Sequence, residues 1–285
     1  MIVMKQTWGI GERRFKNNFE RRMKIYRSLV KSVMMYAAEI WGWSESERLE
    51  KLHTKYIKWV LGLDFNTPTY IVMDETKEDK IRIEAGRRAV RYEEKTRTKG
   101  INKIILECWK EIDTKCERKR SKWEEQRRQY YEEKGIEIKE VKARCTGELT
   151  LAENLSQLDR AEQCQSFYDR IVIGRYNRNY RGIREENRAY YLKAEYKGRD
   201  QSMIARFRCG NEERGNRYWK KKEDNVCRMC GLGEETIEHL LEECREVERD
   251  KDLTRWNILQ GQEQGKKWMR EIIRRRKEIG QGQKT

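Results

Sequence analysis

Residues 15–42, FKNNFERRMKIYRSLVKSVMMYAAEIWG, place Phe19, Met23, Tyr26, Val30, Val33, Ala37 and Ile40 at three- and four-residue steps. That is the period of one helical face, and the spacing predicts a helix ending near Gly42. Ser44 and Glu47 stand at capping-box separation. Leu49, Leu52, Tyr56, Ile57 and Val60 then form the stripe of a second helix that stops at Gly62. His53 lies beside that stripe without a Cys, His or Asp companion and reads as a hydrogen-bonded or surface histidine. Asn66-Thr67-Pro68-Thr69 is a turn holding the single proline. Beyond it Ile81, Ala85, Ala89 and Tyr92 share a face that Gly100 breaks. Residues 104–133 read as one long charged helix anchored by Ile105, Trp109, Ile112, Cys116 and Trp123, and both a solvated face and a coiled-coil arm fit it. Periodicity is poor from Gly135 to Thr150, which marks a domain boundary or link. A helix follows from Leu151 to Val172, and an Arg- and Tyr-rich stretch with weak signals runs from Gly174 to Arg208. With almost no strand pattern, the fold class expected is mainly α.

A chain of 285 residues suggests about two domains. Lys and Arg number 65 against 49 Asp and Glu, a surplus of 16 positive charges on a chain of mean hydropathy −1.10. Such a surplus attracts polyanions, so RNA or DNA is the expected partner and an acidic membrane surface a weaker second. Nine Trp, fourteen Tyr and five Phe supply the core that sparse aliphatics leave thin. The longest apolar candidate, Leu29 to Trp43, is cut by Lys31, Ser32 and Glu39 and falls short of the roughly 20 residues of a membrane span. The first residues lack a secretory signal. An intracellular protein with no membrane partner is expected.

Three of the eight cysteines belong to Cys227-Arg228-Met229-Cys230 with His239 and Cys244, a C-x2-C-x8-H-x4-C array. Four soft ligands at that spacing can close a tetrahedron around a structural Zn²⁺ with no position left for activating water. Gly231 and Gly233 permit the turn, and Thr236 caps a short helix carrying His239. Cys244 lies about 140° from His239 on a regular α-helix, so that helix end must tighten or unwind. Cys209 is a candidate replacement ligand. The five scattered thiols, Cys108, Cys116, Cys145, Cys164 and Cys209, lack a disulfide framework, fit a reducing compartment and read most simply as buried small apolar groups.

Upstream of the array, cations interleave with aromatics in Arg206-Phe207-Arg208 and in Arg217-Tyr218-Trp219-Lys220-Lys221. Arg175, Tyr176, Arg178, Tyr180, Arg181 and Arg184 form a similar string. That mixture suits phosphates and stacked bases, although core anchors with a solvated charged surface give the same pattern. A basic helix end follows at Lys266, Lys267, Arg270, Arg274, Arg275, Arg276 and Lys277. No Asp-Asp pair, P-loop, nucleophile elbow or zincin motif is present. Acidic residues mostly alternate with Lys and Arg as surface ion pairs do. The expectation is binding without catalysis.

Nearly the whole chain, from about Thr7 to Ile279, resembles the C-terminal part of insect-type non-LTR retrotransposon reverse transcriptase polyproteins. The carriers are Trp8-Gly9-Ile10-Gly11, residues 36–43 (YAAEIWGW), Thr67-Pro68-Thr69-Tyr70-Ile71-Val72, residues 206–211 (RFRCGN), Asn216-Arg217-Tyr218-Trp219 and the Cys/His array. The resemblance implies a thumb-like helical bundle over residues 1–100, a charged helix and linker over 101–150 and an Arg/Tyr-rich helical region over 151–222. A CCHC zinc knuckle over 223–250 and a basic C-terminal helix over 251–285 complete it. The family's fingers and palm, with their Tyr/Phe-x-Asp-Asp motif, and its endonuclease have no counterpart here, which implies a truncated element or a chain begun at an internal methionine. Binding of element RNA or target DNA is what carries over. Thumb faces such as Tyr36, Ile40 and Trp41 would then lie open to self-association.

A helical protein–protein interaction protein with a structural zinc module is the alternative, using residues 104–133 to pair with a partner helix. Sustained heptads, its signature, are not found there.

Overall fold

The computed structural model describes residues 1–98, 103–116, 120–145, 150–193, 195–219, 221–248, 250 and 252–282. Gly100, read as a helix breaker, and Lys220, read as a nucleic-acid contact, lie outside them. The fold is mainly α. Among the described residues the only β pairing is one isolated antiparallel bridge, Val226 with Glu234, and no helix is long and apolar enough to cross a membrane.

The chain forms two compact units, each discontinuous in sequence: Met1–Val30 with Thr54–Lys77 and Phe167–Thr285, and Lys31–His53 with Glu78–Ser166. This differs from the five consecutive segments expected. Of the stretch 135–150, read as a boundary or link, residues 146–149 lie outside the described residues, and the rest belongs to the second unit. It carries a helix, Ile138–Arg144, whose Val141 packs with Tyr130, Tyr131 and Leu155 inside that unit.

In the second unit Trp43 packs in a core of aliphatic and aromatic residues, with the rings of Tyr130 and Tyr131 at 5.8 and 5.5 Å. The helix Ala38–Trp41 crosses Ile81–Thr98 closely because Gly42 has no side chain: a Cβ there would stand 2.3 Å from the Ala85 carbonyl oxygen. Residues 104–133 are not one helix. They divide into Lys103–Thr114 and Lys122–Glu132, and Ser121 starts the second with a capping box to Glu124. The break lets Trp109 lie 6.2 Å from Trp123 and beneath the guanidinium of Arg97 at 4.4 Å. Arg127 and the Tyr131 hydroxyl both donate to the buried Glu93 carboxylate. Of the anchors only Trp109 is buried; Ile105, Ile112 and Trp123 are half-buried, and Cys116, like Cys108 and Cys164, is exposed, so two shorter helices stand where one long arm was expected.

The face read over residues 15–42 is also interrupted. Phe19, Met23, Tyr26 and Val30 are buried as expected, on a helix that begins at Phe19 with Asn18 as its cap. Arg27–Lys31 then forms a π turn, which inserts a residue and shifts the phase, and Ala37 takes a left-handed conformation at φ 54. Val33, Tyr36 and Ile40 consequently face outward, 68, 83 and 62% exposed, while Met35 and Ala38 turn inward. The next helix begins at Glu47, and the carbonyl of Ser46 accepts its first backbone bonds; Ser44 is not its cap. His53 is fully buried, with Nε2 3.2 Å from the Asp79 carbonyl.

In the first unit Tyr26 stacks on Tyr56 at 4.2 Å, and Phe207 meets Trp268 edge-on at 6.0 Å. The stretch 174–208, read as weakly structured, holds Tyr180–Ile183 and the eleven-residue helix Gly198–Arg208. The C-terminal helix, Glu263–Gly282, packs beside the latter. At the centre Arg208, 1% exposed, ion-pairs with Glu75 and donates to the carbonyls of Leu259 and Ile183, each at 3.0 Å, and to Glu185 at 3.1 Å.

Candidate metal centre and basic groove

Cys227 and Cys230 leave the Val226–Glu234 bridge on a turn closed by Cys227 N–H to Gly233 O and Gly231 N–H to Cys227 O, both 3.0 Å. Gly231 and Gly233 take φ 67 and 64, values that favour glycine. Gly233 also gives the histidine room, since a Cβ there would stand 3.1 Å from His239 Nδ1. Thr236 Oγ1 accepts the His239 N–H at 3.1 Å. Past it, His239–Glu243 is a π turn, and Cys244 N–H donates to His239 O at 2.7 Å. The helix end widens by one residue, and that resolves the 140° mismatch by bringing the fifth residue back over the first.

The four candidate ligand atoms lie within 4.8 Å of one another. Cys227 Sγ and Cys244 Sγ are 3.9 Å apart and Cys230 Sγ is 3.3 Å from His239 Nε2. A tetrahedron with metal–sulfur bonds of about 2.3 Å and a metal–nitrogen bond of about 2.0 Å has edges of roughly 3.8 and 3.5 Å, so the donors fit one metal ion. The other imidazole nitrogen, Nδ1, lies 3.1 Å from Glu243 Oε2, an arrangement that directs the Nε2 lone pair into the cluster. Burial raises the Cys227 thiol and pushes Cys244 up to about 12, with neighbouring sulfurs adding to both. Burial opposes ionisation of Cys230 as well, but the Leu232 N–H and the His239 ring bring it below the ordinary thiol value. A cation held by these four atoms would supply the charge that lets the buried pair ionise. Cys209 is no part of the set; it is buried in the core, where burial and nearby Glu75 hold its thiol well up.

Glu243 was missed as a functional residue, although its i,i+4 spacing from His239 was visible. Glu235 was missed too. Fully buried, it accepts the Arg228 N–H at 2.7 Å and Arg276 Nη2 at 2.8 Å, tying the Cys turn to the C-terminal helix. No local pattern announces that link, because Arg276 arrives from 41 residues away.

The structure does not bring all the expected nucleic-acid residues together. Phe207, Arg208 and Tyr180 are core; the Tyr180 hydroxyl donates to Asp74 and Glu75 at 3.0 and 2.8 Å. Their burial removes them from any surface. Arg206 is held by Glu212, Asp64 and the Gly62 carbonyl. By contrast, Arg175, Tyr176, Arg178, Arg217 and Tyr218 line one groove of about 560 Å³ beside Thr236 of the Cys/His module. The Tyr176 and Tyr218 rings are 5.5 Å apart, and Trp219 abuts Tyr218 at 5.0 Å. Arg181 and Lys221 are exposed.

Among the described residues Arg175, Arg178 and Arg217 form no ion pair, and the buried Arg217 Nε has no hydrogen-bond partner. Burial, with Arg228 and Arg214 nearby, holds Arg217 below the ordinary arginine value. Three carboxyls share the groove. Glu238 is paired with Arg255, Glu234 is exposed, and burial raises Glu213 to about 7 although the Ile237 N–H donates to it. The groove therefore offers unmatched guanidinium groups beside two aromatic rings. No protein-family model, curated protein or solved structure matches the chain.

Proposed function

We propose that this protein binds nucleic acid, RNA first and DNA second, in the Arg175–Tyr218 groove, beside a structural Zn²⁺ held by Cys227, Cys230, His239 and Cys244. The observation that carries the reading is the convergence of two strings 39 residues apart, with Asn177 N–H donating to Asn216 Oδ1, into a single groove with unpaired arginines and adjacent aromatic rings. Guanidinium groups meet phosphates while tyrosine faces stack bases, a combination suited to single strands. Zinc is favoured over harder ions by three sulfurs and one imidazole in tetrahedral spacing. The resemblance to the C-terminal region of non-LTR retrotransposon reverse transcriptases points the same way, toward a binding region apart from the polymerase centre. Eight free cysteines fit a reducing intracellular compartment.

Fluorescence anisotropy with a labelled single-stranded RNA tests this. Wild type binds with an affinity that falls steeply with salt, and Arg217→Ala with Tyr218→Ala weakens it by roughly 10- to 100-fold, about what one lost phosphate contact and one lost stacked base supply. No binding at low salt, or an unaffected double variant, refutes it. Cys230→Ser should lose stoichiometric zinc and the cooperative melting of the module.

A second reading, a helical interaction protein with a structural metal module, is favoured by the outward face of Val33, Tyr36 and Ile40. Concentration-dependent sedimentation, abolished by Tyr36→Ser with Ile40→Ser and without RNA affinity, would select it.

A further inference from the structure

A second groove lies between the helix Gly198–Arg208 and the C-terminal helix, with a volume of about 1060 Å³. Of its thirteen lining residues eight are Lys or Arg and two are acidic. Both acids are already engaged: Asp200 accepts both contacts from Arg270, and Glu212 holds Arg206 and Arg276. Lys197, Arg199 and Lys277 are exposed on its rim and form no ion pair among the described residues. Deeper in, Arg276 keeps a buried Nε without a partner. No aromatic residue among the described residues lines this groove, so they offer charge without a surface for stacking.

We propose that this groove is a phosphodiester-backbone track, in which Lys197, Arg199 and Lys277 contact phosphates of a bound nucleic acid irrespective of strandedness or sequence. The proposal rests on the nucleic-acid reading above and divides its work. Bases are taken by the tyrosine-lined groove, where single strands alone can stack, and backbone is held here. Each neutralised phosphate contributes about 0.9 to the salt slope on duplex and about 0.7 on single strands.

The test is the salt dependence of binding for Lys197→Gln/Arg199→Gln/Lys277→Gln, with labelled duplex and single-stranded probes of equal length. Between about 50 and 200 mM salt, loss of three contacts should shrink the fall in affinity by roughly 40-fold on duplex and roughly 20-fold on single strands. Melting profile and zinc content should match wild type, and the single variant Arg199→Gln should show about one third of the slope change. The Arg217→Ala/Tyr218→Ala protein should be impaired chiefly on single strands. Unchanged slopes in a triple variant whose parent binds RNA overturn the track and leave the proposed function standing. A change confined to one probe also overturns it, since phosphates are common to both. Failure of the wild-type protein to bind either probe removes both readings.

Discussion

Arg208 decides between two accounts of the same local string. As a nucleic-acid contact its loss would weaken binding and spare the fold; as a core residue the reverse holds. Its guanidinium ion-pairs with the buried Glu75 and donates to two main-chain carbonyls and Glu185. Arg208→Met fills much of the volume but leaves Glu75 charged and buried, with the Tyr180 hydroxyl its remaining strong donor. Breaking one side of a buried pair costs about 3–5 kcal/mol, a large part of the roughly 5–15 kcal/mol that holds a domain together. With an m-value of about 3 kcal/mol per molar urea, the midpoint should fall by roughly 1–1.7 M. Arg208→Lys keeps the charge but not the fork, so an intermediate loss is expected. Arg208→Met/Glu75→Gln should recover part of the deficit, because the fully buried carboxylate is neutralised and only the more exposed Glu185 loses its partner. Urea unfolding followed by tryptophan fluorescence reads all three, and RNA anisotropy below the transition reads binding. An unchanged midpoint for Arg208→Met together with lost RNA affinity would refute the assignment.

Two further outcomes follow from the Cys/His module and its groove. Gly233→Ala strains a backbone at φ 64 and pushes a Cβ to 3.1 Å from the His239 ring; about 1–2 kcal/mol of strain and a 10- to 100-fold loss of zinc affinity are expected in a chelator competition. Gly231→Ala, with open space at φ 67, should carry the strain without the metal defect, and equal affinities for the two would count against the packing argument. Glu213 titrates near 7 in the folded chain because it is buried, against 4.5 ordinarily, so between those values the folded state holds a proton that the unfolded state has released. Stability should therefore fall by about 3 kcal/mol as pH rises from about 4.5 to 7. Glu213→Gln should flatten that part of the pH profile of urea unfolding; an undiminished slope would sink the claim.

Helix content, the Cys/His set and the helical span 151–172 were legible because each is local. Periodicity, ligand spacing and caps act within a few residues. Interruptions were less visible for an equally physical reason. The π turn at Arg27–Lys31 carries no Gly or Pro to announce it, and the close approach of Gly42 to Ala85 is a contact between residues distant in sequence. The break before Lys122 did carry a local signal, Ser121 with Glu124, masked by the charged residues around it. Ser44 offered the same spacing and lost to Ser46, whose carbonyl the helix uses. Capping-box spacing alone does not choose between neighbouring serines.

Arg208 and Arg217 show why charge composition is a weak guide to which cations are functional. Both stand beside an aromatic residue, nine positions apart, in strings of similar composition. What separates them is a carboxylate 133 residues upstream: Glu75 meets Arg208, and nothing equivalent meets Arg217 among the described residues. The same sorting applies to the C-terminal helix, where Arg270, Arg274 and Arg276 are spent on Asp200, Glu271 and Glu212 and Lys277 is not. A folded basic protein neutralises much of its own charge, so its affinity for a polyanion should follow the unmatched remainder and not the net total. Replacing an internally paired cation should therefore change stability first, and replacing Arg217, Arg199 or Lys277 should change the salt slope first.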